Sequence, residues 1–214
     1  MSFSEKIKSY KDGFISQSEV VSKTDEYFIS SYIKLSNKDF RPEKFDGQFL
    51  PGKIYIFRYN PKQKPDDGKK KEKEFVNRLP IVLAFDVKKS KDLNNILYGS
   101  DLIATPPDER VKILERVYDF SETIIDSNKK SGSQSPVNLS GDNVKSLLKG
   151  TGYIGSTKGF DISSMSEVYV IGYDDWKKIP YLSVALLQGS SPIEIYNSYR
   201  SKLKDNSGLE NKNK

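Results

Sequence analysis

The stretches "PGKIYIFRY", residues 51–59, and "RLPIVLAFDV", residues 78–87, decide the fold. From Lys53 to Tyr59 β-branched and aromatic residues follow one another without a break. In an extended chain Ile54 and Ile56 point to one side and Tyr55, Phe57 and Tyr59 to the other, which predicts a strand covered on both faces. The second run, Ile81 to Phe85, is continuously apolar, as a central strand is. Between them "NPKQKPDDGKKKEKEF", residues 60–75, is charged and longer than a tight hairpin needs. The simplest reading is an antiparallel pair with a solvated loop at its tip.

Working outward, residues 1–35 read as helix in two pieces broken near Gly13. Phe3, Ile7 and Tyr10 recur at helical spacing, then Val20, Val21, Thr24, Tyr27, Phe28 and Tyr32 form a second stripe. That stripe either buries one face of a surface helix or makes an arm that docks on a neighbour through Tyr27, Phe28 and Tyr32. Pro42, Gly47, Pro51 and Gly52 punctuate a polar connection, so residues 1–46 are expected to be helical arm and linker. Residues 47–203 are then one α+β domain, and 204–214 a tail disordered by composition.

Further along, "ATPPDERVKILERVYDF", residues 104–120, predicts a helix with Thr105 as N-cap, Pro106 at the first helical position and Asp108 two residues on. Ile113, Leu114, Val117 and Tyr118 supply its apolar stripe, leaving Arg110 and Arg116 to solvent or a partner. A Ser/Gly-rich loop follows at 127–141, then a short helix from Asp142 to Lys149 and a strand in "SEVYVIGY", residues 166–173. Trp176, the single tryptophan, sits in a turn and is a further candidate for partner docking. "SSPIEIYNSYRSKL", residues 190–203, opens on a second capping box, Ser191 with Pro192 and Glu194.

Composition narrows the chemistry. The 214 residues contain no cysteine and no histidine, which removes disulfides, thiolate zinc sites, cysteine nucleophiles and the Ser-His-Asp triad from what this chain builds alone. Acid–base work falls to carboxylates, Lys or Tyr, and any metal to oxygen ligands. The net charge is +6, carried mostly by lysine. That excess permits phosphate contact without requiring it. The amino terminus has no apolar core of a signal peptide, and no apolar run approaches ~18 residues, so no membrane contact is expected.

The densest basic cluster is Lys69, Lys70, Lys71 and Lys73, joined by Arg78, and it is the candidate nucleic-acid contact. Asp66, Asp67, Glu72 and Glu74 cancel much of its field. The adjacent carboxylates Asp66 with Asp67 and Asp174 with Asp175 diverge on an extended chain and read as turn residues, not as a cation site. "GTGYIGSTKG", residues 150–159, lacks the Gly-Lys-Ser/Thr order of a phosphate loop and reads as a tight loop or bulge. No metal or cofactor is expected.

The pair "PGKIYIFRYNP" and "NRLPIVLAFD" resembles the first hairpin of the MazF/PemK-type endoribonuclease toxins, which are SH3-like barrels. That resemblance implies a small antiparallel SH3-like β-barrel flanked by helices, and would give Arg78 a role in RNA cleavage, although Leu79 stands between it and Pro80. A longer resemblance spans roughly residues 50–200. The Gly52–Tyr55 strand, the Pro80–Val82 strand, Pro107 with Arg110, and Asp175 with Trp176 are similar to features of small structural proteins of tailed bacteriophages, crAss-like phages included. It implies a non-enzymatic virion component of the neck, tail or baseplate. Such a component works by packing in a homo- or hetero-oligomer with other virion proteins and is found in the virion and, during assembly, in host cytoplasm. A nucleic-acid-binding protein at phage DNA ends and a MazF-like endoribonuclease are the alternatives.

Overall fold

The computed structural model describes residues 2–34, 45–60, 79–89, 95–131, 140–149 and 157–183, with backbone alone for 29–34, 89 and 122–131. The chain is α+β, and an antiparallel sheet of five strands organises it. β1 (Ile54–Tyr59) and β2 (Ile81–Lys89) form the expected antiparallel pair, with Ile54 opposite Leu83 and Ile56 opposite Ile81. β3 (Asn95–Asp101) pairs with the other side of β2, so β2 is central as its apolar run requires. β4 (Thr157–Asp161) adds to β3, and β5 (Met165–Ile171) returns to pair with β1. The order across the sheet is β4-β3-β2-β1-β5.

The alternation in β1 divides two cores. Ile54 and Ile56 join Ile81, Leu83 and Phe85 beneath the helices, while Tyr55 and Phe57 join Val82, Ala84, Leu97, Phe160 and Val170 on the opposite face. In a flat sheet β1 and β4, with two strands between them, would lie about 14 Å apart. Yet the Phe57 and Phe160 rings meet edge to face at 5.5 Å, and Tyr59 and Phe160 at 5.3 Å. The sheet is therefore rolled, and the second core fills the inside of the roll.

The sheet is not closed: among the described residues β4 and β5 each pair on one side only. Counting the antiparallel pairings shows that β4 and β5 run in the same direction. They are joined end to end by a three-residue 310 turn, η1 (Ile162–Ser164). Parallel neighbours need a crossover of about a dozen residues or more, so these two strands cannot lie side by side.

The first core is roofed by helices. α1 (Phe3–Lys11) and α2 (Gln17–Lys34) flank the break near Gly13. α3 (Pro107–Ser131) and α4 (Gly141–Leu147) are inserted between β3 and β4. A nine-residue 310 helix, η2 (Tyr173–Tyr181), follows β5 and touches α1, α2 and α3. α1 begins with a complete capping box, Ser2 and Glu5 each bonding the other's backbone N–H. The N-terminal helices lie against this body: Phe3 stacks on Tyr118 with centroids 5.1 Å apart, and Phe3, Val20 and Phe28 are buried.

α3 starts at Pro107, one residue later than expected, and Thr105 does not cap it. Pro107 has no N–H to be capped, and the Thr105 hydroxyl instead donates to the Asp101 carbonyl at 2.9 Å.

Candidate interaction surface

The largest departure from expectation on α3 is Arg110, which is fully buried instead of facing solvent. Its Nε donates to Thr105 O at 2.7 Å, its Nη2 to Ile103 O at 2.9 Å, and its Nη1 to Leu182 O at 2.6 Å and more weakly to Ile179 O at 3.4 Å. A buried guanidinium costs several kcal/mol unless its fork of donors is satisfied, and here it knots the β3–α3 turn to the end of η2. The signal was present in the sequence: residue 110 lies three, four and seven positions before Ile113, Leu114 and Val117, on the buried stripe itself. Arg116 does reach the surface, where it donates to the Leu147 and Lys149 carbonyls at 3.0 and 2.8 Å and anchors the end of α4.

Three of the four residues expected to dock on a partner are occupied inside the chain. Tyr27 is 8% exposed, Phe28 1% and Trp176 0%. The Lys178 ammonium sits 3.4 Å from the Tyr27 ring centre, and Trp176 packs at a tilt against Tyr173, centroids 4.6 Å apart, while donating its indole N–H to Ile171 O at 3.1 Å. An aromatic stripe at helical spacing thus serves the core of its own chain, as such stripes do when enough apolar surface faces them. The Tyr32 side chain lies outside the described residues, as do Lys69, Lys70, Lys71, Lys73 and Arg78, the Ser191 capping box and the tail from residue 204.

Several of the acidic groups form ion pairs. Asp175 accepts from Lys178 at 2.8 Å, and the exposed Asp174 lies 3.9 Å from Lys6, so the adjacent carboxylates do diverge. Buried Asp101 meets Lys158 at 3.6 Å, which places that lysine of the glycine-rich stretch on strand β4, where a bulge or loop had been expected. Asp86 lies between Lys88 at 3.5 Å and Lys145 at 3.9 Å. Among the described residues no three Asp, Glu, His or Cys side chains converge into a group that could hold a metal ion.

The described surface includes two sheet edges and one strongly exposed apolar side chain. The outer sides of β4 and β5 have no strand partner among the described residues, and such edges extend readily onto another chain. The two edges are unlike. β5 is bulged where it passes Ile56 and Arg58, and Glu167 there takes a left-handed conformation, φ 50°, and pairs with the Arg58 Nε at 2.6 Å. Bulges and charges of this kind blunt an edge. β4 keeps regular register through all its pairs with β3, and the Asp161 N–H is taken by the Tyr59 hydroxyl at 3.2 Å. Between α1 and α2, Ile15 is 97% exposed, held by its N–H to the Glu19 carboxylate at 2.8 Å. No described helix is long and apolar enough to cross a membrane. Set against family models, curated proteins and solved structures, the chain matches none.

Proposed function

We propose that this chain is a structural subunit of a tailed-phage virion, a neck, tail or baseplate component that acts by packing against other subunits. The observation that carries the reading is the open rolled sheet, whose β4 edge is regular in register and lacks a strand partner among the described residues, the form of edge a neighbour extends. The resemblance of residues 50–200 to small phage structural proteins supports it. The four-strand order β1 to β4, the 310 turn η1 and the return of β5 beside β1 further support reading the roll as an SH3-like element that does not close.

The test is the mass of the purified chain by light scattering, with and without a ~20-nucleotide DNA, at low and moderate salt, where counterion release is legible. A defined oligomer indifferent to DNA is the expected result. A monomer that binds DNA at low salt and releases it as salt rises would replace this reading with a nucleic-acid-binding one. Degradation of added RNA would replace it with an endoribonuclease.

A further inference from the structure

Runs of 310 helix longer than three or four residues are uncommon, because their hydrogen bonds are poorly aligned and side chains three apart eclipse. η2 runs for nine residues and contains Pro180, which brings no N–H of its own. Such an element is held by what surrounds it, and its surroundings fall into two groups.

One group is the N-terminal helix pair. Tyr10 packs against Tyr181 at 5.9 Å and bonds Thr24 of α2 at 3.0 Å; Lys178 covers the Tyr27 ring; and the Ser183 N–H, just past η2, donates to Asp25 of α2 at 2.8 Å. The other group is the sheet and α3. Arg110 holds the carbonyls of Ile179 and Leu182, Trp176 holds Ile171 O, and Phe3 and Lys6 of α1 meet Tyr118 of α3. Contacts within the first group tie three elements into one another, whereas those crossing to the second run through the Arg110 fork, the Trp176 indole, the ring cluster of Phe3, Tyr118, Tyr173 and Trp176, the Lys53 ammonium over Tyr173, and the Ser4–Glu115 and Tyr173–Ser121 hydrogen bonds.

We propose that η2 is a latch: α1, α2 and η2 open from the sheet and α3 as one unit, with the Arg110 fork as the catch. Opening bares Phe3, Phe28 and Trp176, residues whose type suits docking but whose places in the closed chain are buried, while Lys178 keeps its cover on the Tyr27 ring. Their use on a neighbouring subunit rests on the proposed packing role. The exchange experiment below reads the latch in the isolated chain, while light scattering reads assembly, so either idea can fail alone.

The experiment is native-state hydrogen exchange, followed by mass spectrometry, on the full chain in rising sub-denaturing urea. Peptides from α1, α2 and η2 are expected to share one opening with one urea dependence, below the opening of β1, β2 and α3. Arg110→Lys keeps a charge but not the planar fork, and is expected to speed exchange in all three elements by roughly tenfold or more while β1 and β2 hold. Asp25→Asn, a milder change at the Ser183 bond, is expected to give the same pattern at smaller amplitude. The latch is overturned if the three elements open with different urea dependences, if η2 loosens alone, or if the whole chain exchanges through a single global opening.

Discussion

Gly99 sits in β3 directly opposite Ala84 on β2, at the point where the β2–β3 register shifts. A Cβ added there would lie 2.4 Å from the Leu83 carbonyl oxygen, 2.4 Å from the Val82 Cγ1 and 3.2 Å from the Leu83 carbonyl carbon. An ordinary contact is about 3.5 Å or more, so one of the two strands must retreat by about 1 Å. Val82 is buried inside the roll and has little room to turn aside, and the Leu83 carbonyl belongs to the central strand. The Gly99 backbone is not left-handed, so Gly99→Ala raises no conformational objection, and alone it would remove chain entropy from the unfolded state. The steric cost therefore stands by itself. Overpacking costs typically 1–3 kcal/mol, and because backbone is displaced here we expect the upper end, about 3 kcal/mol. With a urea slope of about 2 kcal/mol/M for a chain of this size, the midpoint falls by about 1.5 M at unchanged slope. Trp176, single and buried, reports the transition by its fluorescence. A midpoint within about 0.3 M of the parent would refute the close approach of β2 and β3.

Glu167 tests the bulge in β5. Glu167→Gly relieves a left-handed residue by about 1 kcal/mol and loses an exposed ion pair of about 0–1 kcal/mol, so its stability stays level or rises, whereas Glu167→Val falls by more than 1 kcal/mol despite the strand preference of valine. Chemical denaturation of the two variants side by side checks the ordering. Burial lifts the phenols of Tyr10, Tyr59 and Tyr181 above their ordinary value of 10.0; a bond between Tyr10 and Thr24 and one from the Asp161 N–H to Tyr59 partly offset this, and the Asp12 carboxylate adds to it at Tyr181. A raised folded value means that the unfolded chain ionises first. Stability from these groups is thus whole below pH 10 and declines as pH rises through the folded values. Ultraviolet titration of the native chain is expected to show a late-ionising fraction of its tyrosines that is absent in denaturant; coincident curves would contradict the burial.

The hairpin and its two-faced alternation were readable because β1 meets apolar partners on both sides and nothing in Ile54–Tyr59 opposes the strand. β3 was not readable. "NILYGSD" has a glycine and a polar end, and it is a strand because β2 and β4 flank it, not because of its own residues. β4 looked like a glycine loop for the same reason: Gly159 contributes no side chain, and only Phe160 enters the roll. Arg110 is the converse case: its charge suggests exposure, whereas its helical spacing to Ile113, Leu114 and Val117 puts it on the inner stripe. The aromatic candidates Tyr27, Phe28 and Trp176 are expected from the sequence to dock on a partner, yet they are covered within this chain. That the cover comes from the same chain is a tertiary fact, set by where η2 and α3 pass.

β5 pairs with β1 across more than a hundred residues, with all of α3 and α4 synthesised in between. At about 5–20 residues per second, a ribosome makes β1 roughly 6–20 s before the strand that completes its outer side. During that interval Ile54 to Phe57 stand as an apolar ribbon with one side unpaired. The yield of this protein in a cell is then governed by how fast the second half of the message is read, and rare codons between residues 100 and 165 should send more of it into aggregates than the same codons placed after Ile171.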